Sequence, residues 1–155
     1  MTGLRFRNVD ASPEDPVESW PFEGILAALE RGSLPDWQRL TAVIDADPWG
    51  NLARQVEEAL EVSRPYGVAE LFETIIATAR ERAAASERRQ VADEIQRLVE
   101  RSGLSRRAFA VAIGTSASRL STYLSGSVVP SAALLVRMRG ASERSAAARV
   151  GGQGD

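Results

Sequence analysis

Apolar residues recur at helical spacing in one segment of this chain after another, and no run of alternating β-branched residues competes with them. Ile25, Leu26 and Leu29 form a short stripe closed by Gly32. A second helix, for which Asp36 can serve as cap, carries Trp37, Leu40, Val43 and Ile44 and stops before Pro48. Leu52, Val56 and Leu60 mark a third, ending at Ser63, Arg64 and Pro65. Leu71, Phe72, Ile75, Ile76 and Ala79 mark a fourth. Between Val68 and Ser102 there is neither proline nor glycine. The alanine- and arginine-rich stretch 77–89 therefore either continues one long helix, the preferred reading, or frays into a linker. The expected fold class is all-α.

Punctuation becomes denser after Ser102. Gly103 suits the left-handed position that ends a helix with the stripe Val91, Ile95, Leu98 and Val99. Ser105 can cap the next helix, Arg106 to Ile113, in which Phe109 and Ile113 share a face and Ala110 is small between them. Gly114 stands where the chain must turn, and Ser116 can cap a helix holding Leu120, Tyr123 and Leu124. Gly126 ends that helix, and Pro130 with Ser131 opens another carrying Leu134, Leu135 and Met138. The order of these residues has a steric cause. Two helices crossing steeply over a short turn need a small residue where they touch, here Ala110. The turn needs a residue that tolerates positive φ, here Gly114, and the second helix must send one aliphatic side chain, Leu120, back into the core.

Charge sharpens the division. The net charge of −2 over 155 residues conceals two opposite halves. Residues 1–86 hold 8 arginines and 15 carboxylates, a net of −7, whereas residues 87–155 hold 11 arginines and 6 carboxylates, a net of +5. Within 103–149, 7 arginines face the single acid Glu143. Such asymmetry points to a polyanion at one end only. Every positive side chain is arginine, which a GC-rich coding genome would also produce. With no cysteine and no histidine, disulfides, the zinc sites built on those ligands, and Ser–His or Cys–His catalysis are excluded. Glu57, Glu58 and Glu61 read as a solvated helix face with no nucleophile or metal-ligand spacing beside them. No enzyme, metal or cofactor is expected. Without a long apolar run or an apolar leader near Met1, the expected location is cytoplasmic.

The segment Gly103 to Ser142, with its leading helix, resembles the helix-turn-helix of the phage-repressor type, the Cro and lambda-repressor family also called Xre. The resemblance covers Val91 to Arg144, including the link from Gly126 to Pro130 and Ser131. It implies that the helix starting at Ser116 is a recognition helix whose first turns meet base edges in the major groove of double-stranded DNA. Ala117, Ser118 and Thr122 are then the candidate base readers. Ala117 offers apolar contact, for instance to a thymine methyl, and the two hydroxyls offer hydrogen bonds. Arg106 falls where the family places a phosphate or base contact, Arg119 can reach either, and Arg107, Arg137 and Arg139 can add backbone charge. Ser116 and Ser131, the two capping serines, complete the implied set. The sequence departs from the family pattern in two places. Ser127, Val128 and Val129 stand where basic residues usually follow the recognition helix, and the helix lacks a pair of side chains able to grip bases bidentately.

These readings divide the chain into a flexible arm at 1–19, an acidic helical partner or dimerisation domain at 20–86, the helix-turn-helix domain at 87–145 and a disordered tail at 146–155. Trp20, Trp37 and Trp49, with Phe22, Tyr66 and Phe72, are expected to build the acidic domain's core, or else an interface. The turns Pro48–Trp49–Gly50 and Pro65–Tyr66–Gly67 read as two similar inter-helix links. The functional expectation is a dimeric, sequence-specific DNA-binding transcriptional regulator. The alternative is an antitoxin whose N-terminal half binds a toxin while its C-terminal domain represses its own operon.

Overall fold

The computed structural model describes residues 3–7 and 9–152, and every regular element among them is helical. One 3₁₀ turn, Val17–Ser19, precedes α1 (Phe22–Arg31), α2 (Leu34–Ala46), α3 (Asn51–Val62), α4 (Val68–Ser102), α5 (Arg106–Ile113), α6 (Ala117–Ser125) and α7 (Ala132–Gly151). The chain divides into two compact units, Met1–Ala83 and Ala84–Asp155. The helix α4, free of proline and glycine, runs unbroken through the boundary.

The first unit is a helical core around Ile25, Leu29, Leu40, Ile44, Val56 and Leu60, joined by Phe72 and Ile76 from the first half of α4. Helix α2 starts a turn earlier than its sequence implies. Ser33, not Asp36, is its N-cap, because Pro35 is tolerated in a first turn whose amides have no helical acceptor. Asp36 sits at the third helical position, where its carboxylate accepts from the Ser33 amide at 2.9 Å and the Ser33 hydroxyl at 3.0 Å.

The segment expected to be a loose arm packs on this core. Val17 and Trp20 are buried, and the Phe6 ring meets Trp20 edge to face at 5.1 Å. The same ring lies over Gly24, where a Cβ would come within 2.9 Å of it. Arg39 on α2 donates to the Pro13 and Asp15 carbonyls, and its guanidinium stands 5.0 Å over the Trp20 ring. The arm is held by its own backbone acceptors, which composition cannot reveal. Met1, Thr2 and Asn8 lie outside the described residues.

Two aromatics expected in the core are elsewhere. Trp49 and Tyr66 are exposed, each at the apex of an inter-helix turn. Trp49 instead lies under the Arg80 guanidinium at 5.0 Å, and Arg80 also donates to the Pro48 carbonyl at 3.0 Å and to both Glu57 oxygens. Glu57 is therefore the partner of Arg80 rather than part of a merely solvated face. Trp37 is half-buried, with Nε1 donating to the Ala28 carbonyl at 2.8 Å.

In the second unit Ile95 and Val99 of α4, Phe109, Ala110 and Ile113 of α5, Leu120 of α6, and Leu134 and Met138 of α7 share one core. Helix α7 is tied to α4 by the buried Ser142 hydroxyl, which donates to the Leu98 carbonyl at 2.7 Å. It does not stop near 145. Residues 146–151 are helical, and Arg149 donates to the Arg101 carbonyl at the end of α4 at 2.6 Å. Its guanidinium covers Gly103, whose φ of +70° and lack of a Cβ both suit the site. Residues 153–155 of the expected tail lie outside the described residues.

Residues 84–152 are accordingly expected to fold alone, and truncation after residue 145 to destabilise them. The loss of one charge-assisted bond at an exposed helix end sets the scale at about 1 kcal/mol. Thermal denaturation followed by circular dichroism measures it. Equal midpoints for the two fragments would show that the end of α7 contributes nothing.

Candidate nucleic-acid interface

Each of α5, α6 and α7 begins on a serine that serves the same purpose. Ser105 Oγ accepts the Ala108 amide at 3.1 Å, Ser116 Oγ the Arg119 amide at 3.2 Å, and Ser131 Oγ the Leu134 amide at 3.1 Å. The helices before α5 and α6 end on left-handed glycines, Gly103 and Gly114, and α6 itself ends on Gly126 at φ +77°. At Gly114 the Thr115 amide reaches back to the Ala110 carbonyl at 2.9 Å, closing the turn between α5 and α6. Ala110 is buried in that crossing, and Leu120 of α6 is fully buried in the shared core.

With Leu120 turned inward, α6 turns Ser118, Ser121, Thr122 and Ser125 the other way, at the i, i+3, i+4, i+7 spacing of one helix face. Ser118, Ser121 and Ser125 are exposed and Thr122 is half-buried. Ser121 and Ser125 belong to this arc although the motif did not single them out. Carrying the helical spacing one and two turns further from Ser118 finds them. Ala117 and Arg119, in the first turn of α6, are exposed, as are Arg106 and Arg107 in the first turn of α5. Ser116 and Ser118 approach within 3.2 Å. No hydrogen bond among the described residues joins Arg106, Arg107 or Ser131 to the α6 side chains.

This succession of helix, glycine turn and second helix is the arrangement of a helix-turn-helix. A family model described as a helix-turn-helix domain matches residues 90–151. No curated protein and no solved structure matches the chain. The matched span begins within α4 and includes the end of α7, consistent with the bond from Arg149.

Within the helix-turn-helix domain six of the arginines fall into two groups. Arg137 donates to the Ile113 carbonyl at 3.2 Å, Arg139 pairs with Glu94 at 2.7 Å, and Arg149 holds the Arg101 carbonyl. Arg137 and Arg139, read from sequence as spare backbone charge, are thus engaged inside the domain. Arg106, Arg107 and Arg119 are exposed and take part in none of the ion pairs among the described residues. Across the described residues no group of three or more acidic side chains is placed to hold a metal. No helix is long and apolar enough to cross a membrane.

The hydrogen bond from the Arg139 guanidinium, the largest effect, holds the Glu94 carboxyl below its ordinary value of 4.5 against desolvation, with smaller help from the charges of Arg139 and Arg97. A carboxyl depressed in the folded state stabilises above its unfolded pKa, and that contribution is lost as pH falls through the folded value. The pair is well exposed, so the effect is small. Stability of the domain is expected to decline slightly as the solution is acidified below about pH 4.5, and Arg139→Ala to flatten this dependence. Melting temperatures of both proteins across that range check it.

Proposed function

We propose that this chain is a sequence-specific DNA-binding transcriptional regulator of the phage-repressor type. Helix α6 enters the major groove, and a dimer occupies paired half-sites. The observation that carries the reading is the outward arc of α6, in a domain whose Arg106, Arg107 and Arg119 are exposed and form no ion pair among the described residues. A duplex presents phosphates on both sides of the groove into which such a helix fits. Ala117, Ser118, Ser121 and Thr122 then face base edges. Arg106, Arg107 and Arg119 meet phosphates, with Arg119 also within reach of a base edge, and the capping serines Ser116 and Ser131 add neutral contacts to the backbone.

The dimer follows from the weakness of this surface. A lone α6 carries no asparagine or glutamine and one guanidinium, so it supplies few of the bidentate contacts that discriminate bases by roughly 1–3 kcal/mol each. Two copies on a pseudo-palindrome double both base and phosphate contacts. The Met1–Ala83 unit, at a net −7, opposes a polyanion and is assigned the protein contact.

DNA affinity is expected to fall steeply between about 50 and 200 mM salt, with a slope of roughly −0.9 per phosphate contacted. Arg106→Ala should weaken binding to all sequences alike and reduce the slope by about one unit per site. Fluorescence anisotropy at several salt concentrations, with sedimentation of the complex for its stoichiometry, tests both parts. A salt-independent affinity contradicts the electrostatic contact, and one chain on one half-site contradicts the dimer.

A further inference from the structure

Hydroxyls fill the outward arc of α6, and two of them, on Thr122 and Ser125, return their protons to the helix backbone, whereas the exposed Ser121 makes no hydrogen bond among the described residues. Thr122 Oγ1 donates to the Arg119 carbonyl at 2.6 Å, and Ser125 Oγ to the Thr122 carbonyl at 3.0 Å. Ser116 and Ser118 share a single bond at 3.2 Å, while Ser116 Oγ also accepts the Arg119 amide. Threonine has only staggered χ1 positions, and one that returns its hydroxyl to the preceding turn swings its methyl away from that carbonyl. Thr122 therefore has no proton to give a base, and its Cγ2 methyl is what it can lay against one. The exposed Ala117, in the first turn of the same helix, presents a second methyl.

We propose that α6 recognises thymine through its 5-methyl group, with Thr122 and Ala117 making the contacts, Thr122 by its methyl rather than by a hydrogen bond from its hydroxyl. The inference rests on the DNA-binding reading above and specifies what that surface reads. An A·T pair is the one that presents a methyl in the major groove, so apolar contact alone distinguishes it from G·C and fixes which strand carries the thymine. It also accounts for a reading face without amide side chains.

The test uses the full chain, a duplex selected from random DNA, and the same duplex with each thymine in turn replaced by deoxyuridine, which differs only by the methyl. One or two positions per half-site are expected to lose about fourfold in affinity, the factor that burying one methyl-sized group is worth. Thr122→Val, which keeps the methyl and removes the hydroxyl, is expected to bind as the native chain does. Thr122→Ser, which keeps the hydroxyl and removes the methyl, should lose about fourfold on thymine DNA and nothing further on the deoxyuridine duplex at the matching position. Circular dichroism of each variant confirms that the helix persists. Binding insensitive to deoxyuridine, with Thr122→Val as weak as Thr122→Ala, would overturn the methyl contact while leaving DNA binding intact. No binding to any duplex at low salt by the folded chain overturns the DNA reading, and this inference with it.

Discussion

The helix-turn-helix unit depends on the brevity of its turns. Gly103–Leu104–Ser105 and Gly114–Thr115–Ser116 each end one helix and start the next with a single residue between the left-handed glycine and the capping serine. The glycine reverses the chain in a conformation that costs any other residue about 1–2 kcal/mol. The serine then satisfies an amide of the following helix before solvent must. With so little chain to spare, α5 and α6 can cross only where Ala110 lets them touch, and Leu120 is delivered to the core. Once Leu120 is fixed inside, the helical repeat fixes Ser118, Ser121 and Thr122 outside. The surface of α6 is a consequence of the turn before it.

Charge is distributed by the same logic of commitment. The arginines that hold helix ends together, Arg137 on the Ile113 carbonyl and Arg149 on the Arg101 carbonyl, answer carbonyls that a helix C-terminus leaves without partners. Arg39 does comparable work in the first unit, on the carbonyls of Pro13 and Asp15. Arg106, Arg107 and Arg119, in the first turns of α5 and α6, are left exposed in a domain with few acids to oppose them. A basic surface bounding a small-residue face is suited to a ligand whose charge lies on its edges and whose information lies in a groove.

The helix order and the second core were legible because they depend on period and punctuation, and both survive in a single sequence. Glycine at 103, 114 and 126 and serine at 105, 116 and 131 mark the helix ends in the C-terminal unit directly. Other features depend on partners that are far apart in the chain. The N-terminal segment looked free because its anchor is a side chain on α2 meeting backbone oxygens, and a backbone oxygen has no residue type. Trp49 and Tyr66 looked like core because they are large and apolar, whereas the turns that carry them point outward. Residues 146–151 looked disordered because their alanines and lone arginine show no apolar stripe. Their role is to bring Arg149 to the end of α4. On α6, Ser118 and Thr122 were visible as candidates. That the Thr122 proton is already spent on the Arg119 carbonyl was not, since it is a matter of rotamer rather than of sequence.

The most direct test of the central claim, that α6 and its bordering arginines bind duplex DNA with sequence preference, is selection from a random duplex library with the full chain at low salt. Enrichment of a two-fold symmetric motif, with half-sites about one helical turn apart and thymine at the positions facing α6, is the predicted result. Recovery of sequences no different from the starting library would contradict it.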